Sequence, residues 1–265
     1  MSYEGKTLNE IDLKIMQRQL LLNSKLLSLI ENQRAVEPIQ LFKIAAGQLV
    51  LFNPKKNSLY FSTATEPASA LAMYTHLKTS YLIKVIEGPV ALTEKIAAYL
   101  KKTGANYRSA KMLLLCKETD VSMLSCAAEF EFVNGACLND FGADILVAKF
   151  SSERLNITLD EQEAKKLILS STKEFIGLKI KDEMVSIAAW IREVHGYRGL
   201  SYVYTHEQYR GQGFSQLLLA QLMSTLGDKY KGAFLFVEEV NIPAVNLYHK
   251  LGFKDSGCFS QIKLM

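Results

Sequence analysis

From Leu200 to the C-terminus the chain alternates strand-patterned and helix-patterned stretches, with two glycines at the sharpest junction. Leu200–Thr205 reads as a strand. Phe214, Leu218, Leu222 and Leu226 follow at four-residue spacing, with Leu219 and Met223 beside them, which is the stripe of an amphipathic helix over Phe214–Leu226. Ala233–Val237 reads as a buried strand, Pro243–Leu251 as a short helix ended by Gly252, and Phe253 opens a last strand. Upstream, Glu174–Ile180 and Met184–Val194 form a hairpin across Lys181-Asp182-Glu183. Asp160–Ser171 is a helix with acids at its start, as the helix dipole favours. Strands and helices in this order bury themselves only as a sheet with helices packed on it, so the class is α/β (α+β).

The first half is mixed as well. Leu8, Ile11, Ile15, Leu22, Leu26, Leu29 and Ile30 line one face of a helix from Leu8 to about Gln33. Ile39–Ile44, Gln48–Phe52 and Ser58–Ser62 are short strands, the last two joined by a turn at Asn53-Pro54. A helix around Ala68–Leu77, a strand at Tyr81–Ile86, a Gly88-Pro89 turn, a helix over Thr93–Lys102 and a buried strand at Lys111–Cys116 complete it. From Thr119 to Asn156 the pattern is broken by Gly135, Asn139, Asp140 and Gly142. With 265 residues, the chain divides most naturally into two domains, 1–125 and 126–265.

Hydrophobic residues make up 49% and charged residues 22%, and the net charge of +4 is dispersed. That composition fits a water-soluble protein and lacks the basic stripe of a nucleic-acid binder. The four cysteines form no CxxC and match no zinc spacing with the four histidines, so free thiols and no metal are expected. No apolar leader or membrane-length run is present, which points to a cytoplasmic protein without a membrane partner.

The segment Tyr202–Phe214 enters a glycine loop from a strand and leaves it into a helix. The first amides of a helix have no partners within it, and its dipole adds positive charge there. Gly211 and Gly213 remove side chains that would hold an anion off the main chain. The loop has neither the dinucleotide fingerprint nor the lysine of a nucleotide P-loop.

Arg210-Gly211-Gln212-Gly213-Phe214-Ser215 resembles the acyl-CoA signature of the GNAT acyltransferases, Arg/Gln-x-x-Gly-x-Gly/Ala, with Ser215 at the position where glycine or alanine is usual. Asn241-Ile242-Pro243-Ala244-Val245-Asn246-Leu247-Tyr248-His249-Lys250-Leu251-Gly252-Phe253 is similar to the second signature of that family. The resemblance spans about residues 145–265. It implies a mixed, mostly antiparallel sheet flanked by helices, preceded by an α/β domain that resembles a degenerate copy of the same fold; an unrelated α/β domain is the alternative. It also implies an acetyl-CoA site formed by Val203, Tyr204, Thr205, Arg210, Gly211, Gln212, Gly213, Phe214, Ser215, Gln216 and Asn241, with Tyr248 as the acid that meets the leaving thiol.

The implied reaction is N-acetyl transfer from acetyl-CoA to a small-molecule or peptide amine by direct attack in a ternary complex. Some members carry a glutamate base where Phe236 stands here. Glu238, Glu239, Glu193, His195 and His206 are the substitutes nearby in sequence. A glycine N-acyltransferase-like enzyme is one variant, and a non-catalytic acyl-CoA sensor or scaffold is the alternative class. The long first helix would suit a homodimer contact.

Overall fold

The computed structural model describes residues 22–23, 40–45, 47–118, 130–155, 157–170 and 173–265. The helix expected over Leu8–Gln33 lies outside these apart from Leu22 and Asn23, as does Cys126, and a boundary at residue 125 falls in the undescribed stretch 119–129. In chain order the elements are β1 (Gln40–Ala45), β2 (Gln48–Asn53), β3 (Ser58–Phe61), α1 (Pro67–Leu77), β4 (Val85–Gly88), α2 (Val90–Lys102), β5 (Tyr107–Glu118) and β6 (Glu131–Asn134). There follow α3 (Ala143–Phe150), α4 (Glu161–Ile168), β7 (Glu174–Ile180), β8 (Glu183–Val194), β9 (Tyr197–Thr205), α5 (Phe214–Ser224), β10 (Gly232–Glu238), α6 (Ile242–Lys250) and β11 (Lys254–Leu264). None of the described helices is long and apolar enough to cross a membrane.

Two compact units result. The first comprises Met1–Leu114, Val237–Val245 and Asp255–Met265, the second Leu115–Phe236 and Asn246–Lys254. In the first, the strand order is β1-β2-β3-β4-β11-β5. The β1–β2 and β2–β3 pairs are antiparallel, β3–β4 is parallel and β4–β11 antiparallel. Its core gathers Phe52, Leu59, Met73, Ile86, Leu92, Ile96 and Ile262 from strands and both helices. Burying such a side chain stabilises the fold by about 1.5–3 kcal/mol.

The second unit orders its strands β10-β9-β8-β7-β6. Here β7–β8 and β8–β9 are antiparallel and β9–β10 is parallel. Strand, strand, strand, helix, parallel strand, helix thus occurs twice, as β1 through α2 and as β7 through α6. The first unit repeats this order and pairing of elements.

Two local expectations change. The strand drawn at Tyr81–Ile86 is β4, shifted to Val85–Gly88: the Tyr81 amide bonds Leu77 O at 2.9 Å and so extends the turn that closes α1. Gly88 is paired with Ser260 inside the sheet, which leaves Pro89 alone to make the turn. In the stretch that was illegible, Gly142 adopts φ 80° and lets α3 start directly after a 3₁₀ turn over Gly135–Phe141. Ala143, Leu146 and Val147 then face the core of the second unit.

Candidate active site

The site begins with an irregularity in β9. Ser201 pairs with Ala189 and Tyr204 with Ile187, so Tyr202 and Val203 together oppose the single residue Ala188. This is a β-bulge, and Tyr202 occupies it at φ 55°. A left-handed aromatic residue costs about 1–2 kcal/mol. Burial of its ring offsets this, at 4.9 Å from Phe150 and 5.0 Å from Phe175. The parallel ladder with β10 runs from Tyr197↔Gly232 to Leu200↔Leu235, whereas β9 keeps pairing with β8 as far as Thr205↔Ser186. Just beyond the point where β9 leaves β10, Val203, Tyr204 and Thr205 lead into the glycine loop.

In that loop Gly211 has φ 79° and Gly213 φ 86°, and a Cβ built on either would meet nothing within 4 Å. The glycines are needed for their backbone conformation, and the space above them is open. Gly213 is the N-cap of α5 and offers no side-chain cap. The amides of Phe214, Ser215 and Gln216 therefore begin the helix uncapped, behind two exposed glycines.

The side chains around the loop hold it to β9. Arg210 Nε donates to Thr205 O at 3.0 Å, its guanidinium lies 5.2 Å from the Tyr204 ring centre, and it pairs with Glu153 at 3.7 Å. Gln212 donates to Gln208 O. Tyr204 donates to Glu153 Oε1 at 2.6 Å and also lies 3.2 Å from Glu207 Oε1. Burial and those carboxylates push the Tyr204 phenol well above its usual value, with Arg210 pulling it partly back. Lys149, bonded to Glu207, lowers that carboxyl. Glu153 stands 57 residues before Arg210 in a segment with no motif, so nothing in the sequence marked it.

Tyr248 faces inward on α6 at 7% exposure. Among the described residues its hydroxyl has no hydrogen-bond partner; the ring packs against Phe253. Burial pushes its pKa up, and Arg154 offsets part of this. Asn241, assigned to the first unit, accepts the amides of Ala244 and Val245 on its carbonyl and so opens α6.

The five substitutes for a base are all engaged or remote. Glu238 pairs with Arg108, Glu239 with Lys111, and Glu193 accepts from Tyr230. His195 sits in the β8–β9 turn at φ 47°. At roughly 3.3 Å per residue, the length of β9 puts His195 and Glu193 more than about 20 Å from Thr205. His206 does stand at the loop, with its ring bonded by the Gln208 amide and 3.3 Å from Lys149 Nζ.

The corresponding turn of the first unit is closed by side-chain hydrogen bonds. Ser62 Oγ donates to Gly47 O and accepts the Leu49 amide, Thr65 Oγ1 bonds Leu49 O, and Asn23 bonds the Thr63 amide. Helix α1 then starts with Pro67, which has no amide hydrogen to offer, behind the acidic Glu66. The first unit keeps the topology and has no anion cradle at this turn.

Tyr202, Tyr204 and Tyr248 all hold their protons more tightly folded than free, each chiefly through burial. Above about pH 10, where unfolded tyrosine ionises, the folded state then binds more protons, so stability falls as pH rises. Urea midpoints at pH 8, 9.5 and 11 should drop in the last interval, and drop less in Tyr248→Phe. Equal slopes for the two proteins would contradict this.

Residues 175–259 match the family model described as FR47-like protein. Among solved structures, a Drosophila protein is 12% identical with TM-score 0.67, covering 100% of this chain and 99% of that one. A GCN5-related N-acetyltransferase from Kribbella flavida is 12% identical with TM-score 0.63, covering 97% and 96%. A tandem GNAT protein from the clavulanic acid biosynthesis pathway is 11% identical with TM-score 0.53, covering 99% and 98%. At these identities the likeness is one of fold. No curated protein matches the sequence.

Proposed function

We propose that this chain, a GNAT-superfamily protein of two units with a degenerate first half, transfers an acetyl or other acyl group from acyl-CoA to a primary amine at a single site in its second unit. The observation that carries the reading is the uncapped start of α5 behind Gly211 and Gly213, next to the end of a strand that has left its parallel neighbour. The loop amides of Gly211 to Gln216 would hold the diphosphate, and the main chain of Val203–Thr205 would accompany the pantetheine arm. On attack the amine lone pair forms the C–N bond, the carbonyl electrons move to oxygen, and their return breaks the C–S bond and expels the thiolate. The nitrogen gives up its extra proton to solvent and the thiolate takes one up. A main-chain amide of the bulged strand would stabilise the oxyanion.

Glu238 and Glu239 are held in ion pairs and Glu193 accepts from Tyr230, which favours an acceptor that needs little help to lose its proton. An α-amine of pKa near 8 is neutral in roughly a tenth of molecules at pH 7, a lysine-like amine in about one of two thousand. Titration calorimetry with acetyl-CoA should give one site per chain, and thiol release should appear with α-amines before lysine-like amines. Binding without release across the amine panel would leave an acyl-CoA sensor; no binding of any acyl-CoA would overturn the reading.

A further inference from the structure

Ser215 lies where the GNAT signature has glycine or alanine, and a hydroxyl there invites assignment as a phosphate donor. Counting protons gives a different role. Ser186 Oγ lies 3.1 Å from Tyr204 O, a carbonyl that can only accept, so the single Ser186 proton is committed there. Ser186 Oγ is also 2.8 Å from Thr205 Oγ1, and in that pair Thr205 must then donate. Thr205 Oγ1 is 2.6 Å from Ser215 Oγ, and by the same step Ser215 must donate to Thr205. The row runs in one direction, from Ser215 through Thr205 and Ser186 to the Tyr204 carbonyl. Every proton in it is used, and Ser215 turns only lone pairs outward.

The row is also buried where it matters. Ser186 is 0% and Thr205 7% exposed, so each hydroxyl depends on its partners to satisfy it. It ties the first turn of α5 to the last residues of β9 and, through Ser186, to β8. Those two attachments fix where the uncapped amides stand relative to the strand edge.

We infer that Ser186, outside either signature, is a positioning residue for the anion loop, acting with Thr205 on Ser215 to hold the α5 amides in the geometry that receives a diphosphate. This rests on the acyl-CoA reading above. The test compares acetyl-CoA with S-acetyl-pantetheine, which lacks the diphosphate, in wild type, Ser186→Ala, Ser215→Ala and the double variant. Each single variant should weaken acetyl-CoA by about 3–10-fold, the loss of one net hydrogen bond. The double variant should lose no more than the larger single, because both cut one chain. Binding of S-acetyl-pantetheine should stay within twofold throughout, which a general loss of folding would not allow. If Ser215→Ala weakens acetyl-CoA while Ser186→Ala does not, Ser215 touches the diphosphate itself and the inference fails. If S-acetyl-pantetheine weakens in parallel, the row is merely structural and the inference fails. If wild type binds neither compound, the acyl-CoA reading fails first.

Discussion

Gly213→Val is expected to abolish acetyl-CoA binding, by about 100-fold or more, while lowering the melting temperature by only a few degrees. The two effects separate because of where the Cβ would go. At φ 86° a valine is strained, yet its Cβ meets no protein atom within 4 Å. The folded protein therefore pays only the backbone cost, about 1–2 kcal/mol. In a chain of this size that is roughly 2–8 °C. The ligand loses more: a side chain above the first amides of α5 holds a diphosphate off two or three charge-assisted hydrogen bonds, each contributing about 1.5–3 kcal/mol. Gly213→Asn sharpens the test, since asparagine tolerates the left-handed region with little strain. It should melt close to wild type and still lose acetyl-CoA. Wild-type affinity in Gly213→Asn would show that the glycine serves the turn and that no anion is received there.

Much of this loop was legible in the sequence, because short-range rules govern it. Two glycines between a strand and a helix specify a turn with positive φ, and a four-residue apolar repeat specifies which helix face is buried. What the sequence hid is long-range. The bulge at Tyr202 follows from β8 and β9 pairing out of step across Ala188, and neither strand shows it alone. Glu153, in the π-helical turn Ser151–Leu155 that follows α3, reaches Tyr204 and Arg210 across more than 50 residues of sequence, and α3 itself was obscured by the glycines before it. Ser186 reads as an ordinary strand serine until Thr205 is seen opposite. In the first unit, the order of strands and helices left a degenerate copy and an unrelated α/β domain both open. The closed turn at Ser62–Pro67 depends on Asn23 and Gly47 reaching it from elsewhere in the chain.

Tyr248→Phe is expected to lower kcat by about 30–100-fold with little change in the KM for acetyl-CoA. General acids commonly contribute about 10²–10⁴-fold, and the lower end applies here for a physical reason. Burial holds the Tyr248 hydroxyl above its usual pKa, whereas a thiol leaving group has a pKa of about 8.5. Complete transfer of the proton to the thiolate would therefore be uphill, and in the proposed role the hydroxyl would act as a hydrogen-bond donor to sulfur while charge develops on it. Such a donor strengthens only in the transition state, so its loss falls on kcat and spares ground-state binding. The same shift predicts the alkaline limb. A tyrosine that keeps its proton beyond pH 10 should let wild-type kcat rise with deprotonation of the acceptor amine and then level, without falling before pH 10. Tyr248→Phe should follow the same curve at a lower height. A Tyr248→Phe enzyme within twofold of wild type, or a wild-type decline setting in near pH 9, would remove Tyr248 from the leaving-group step and leave it as a core side chain of α6.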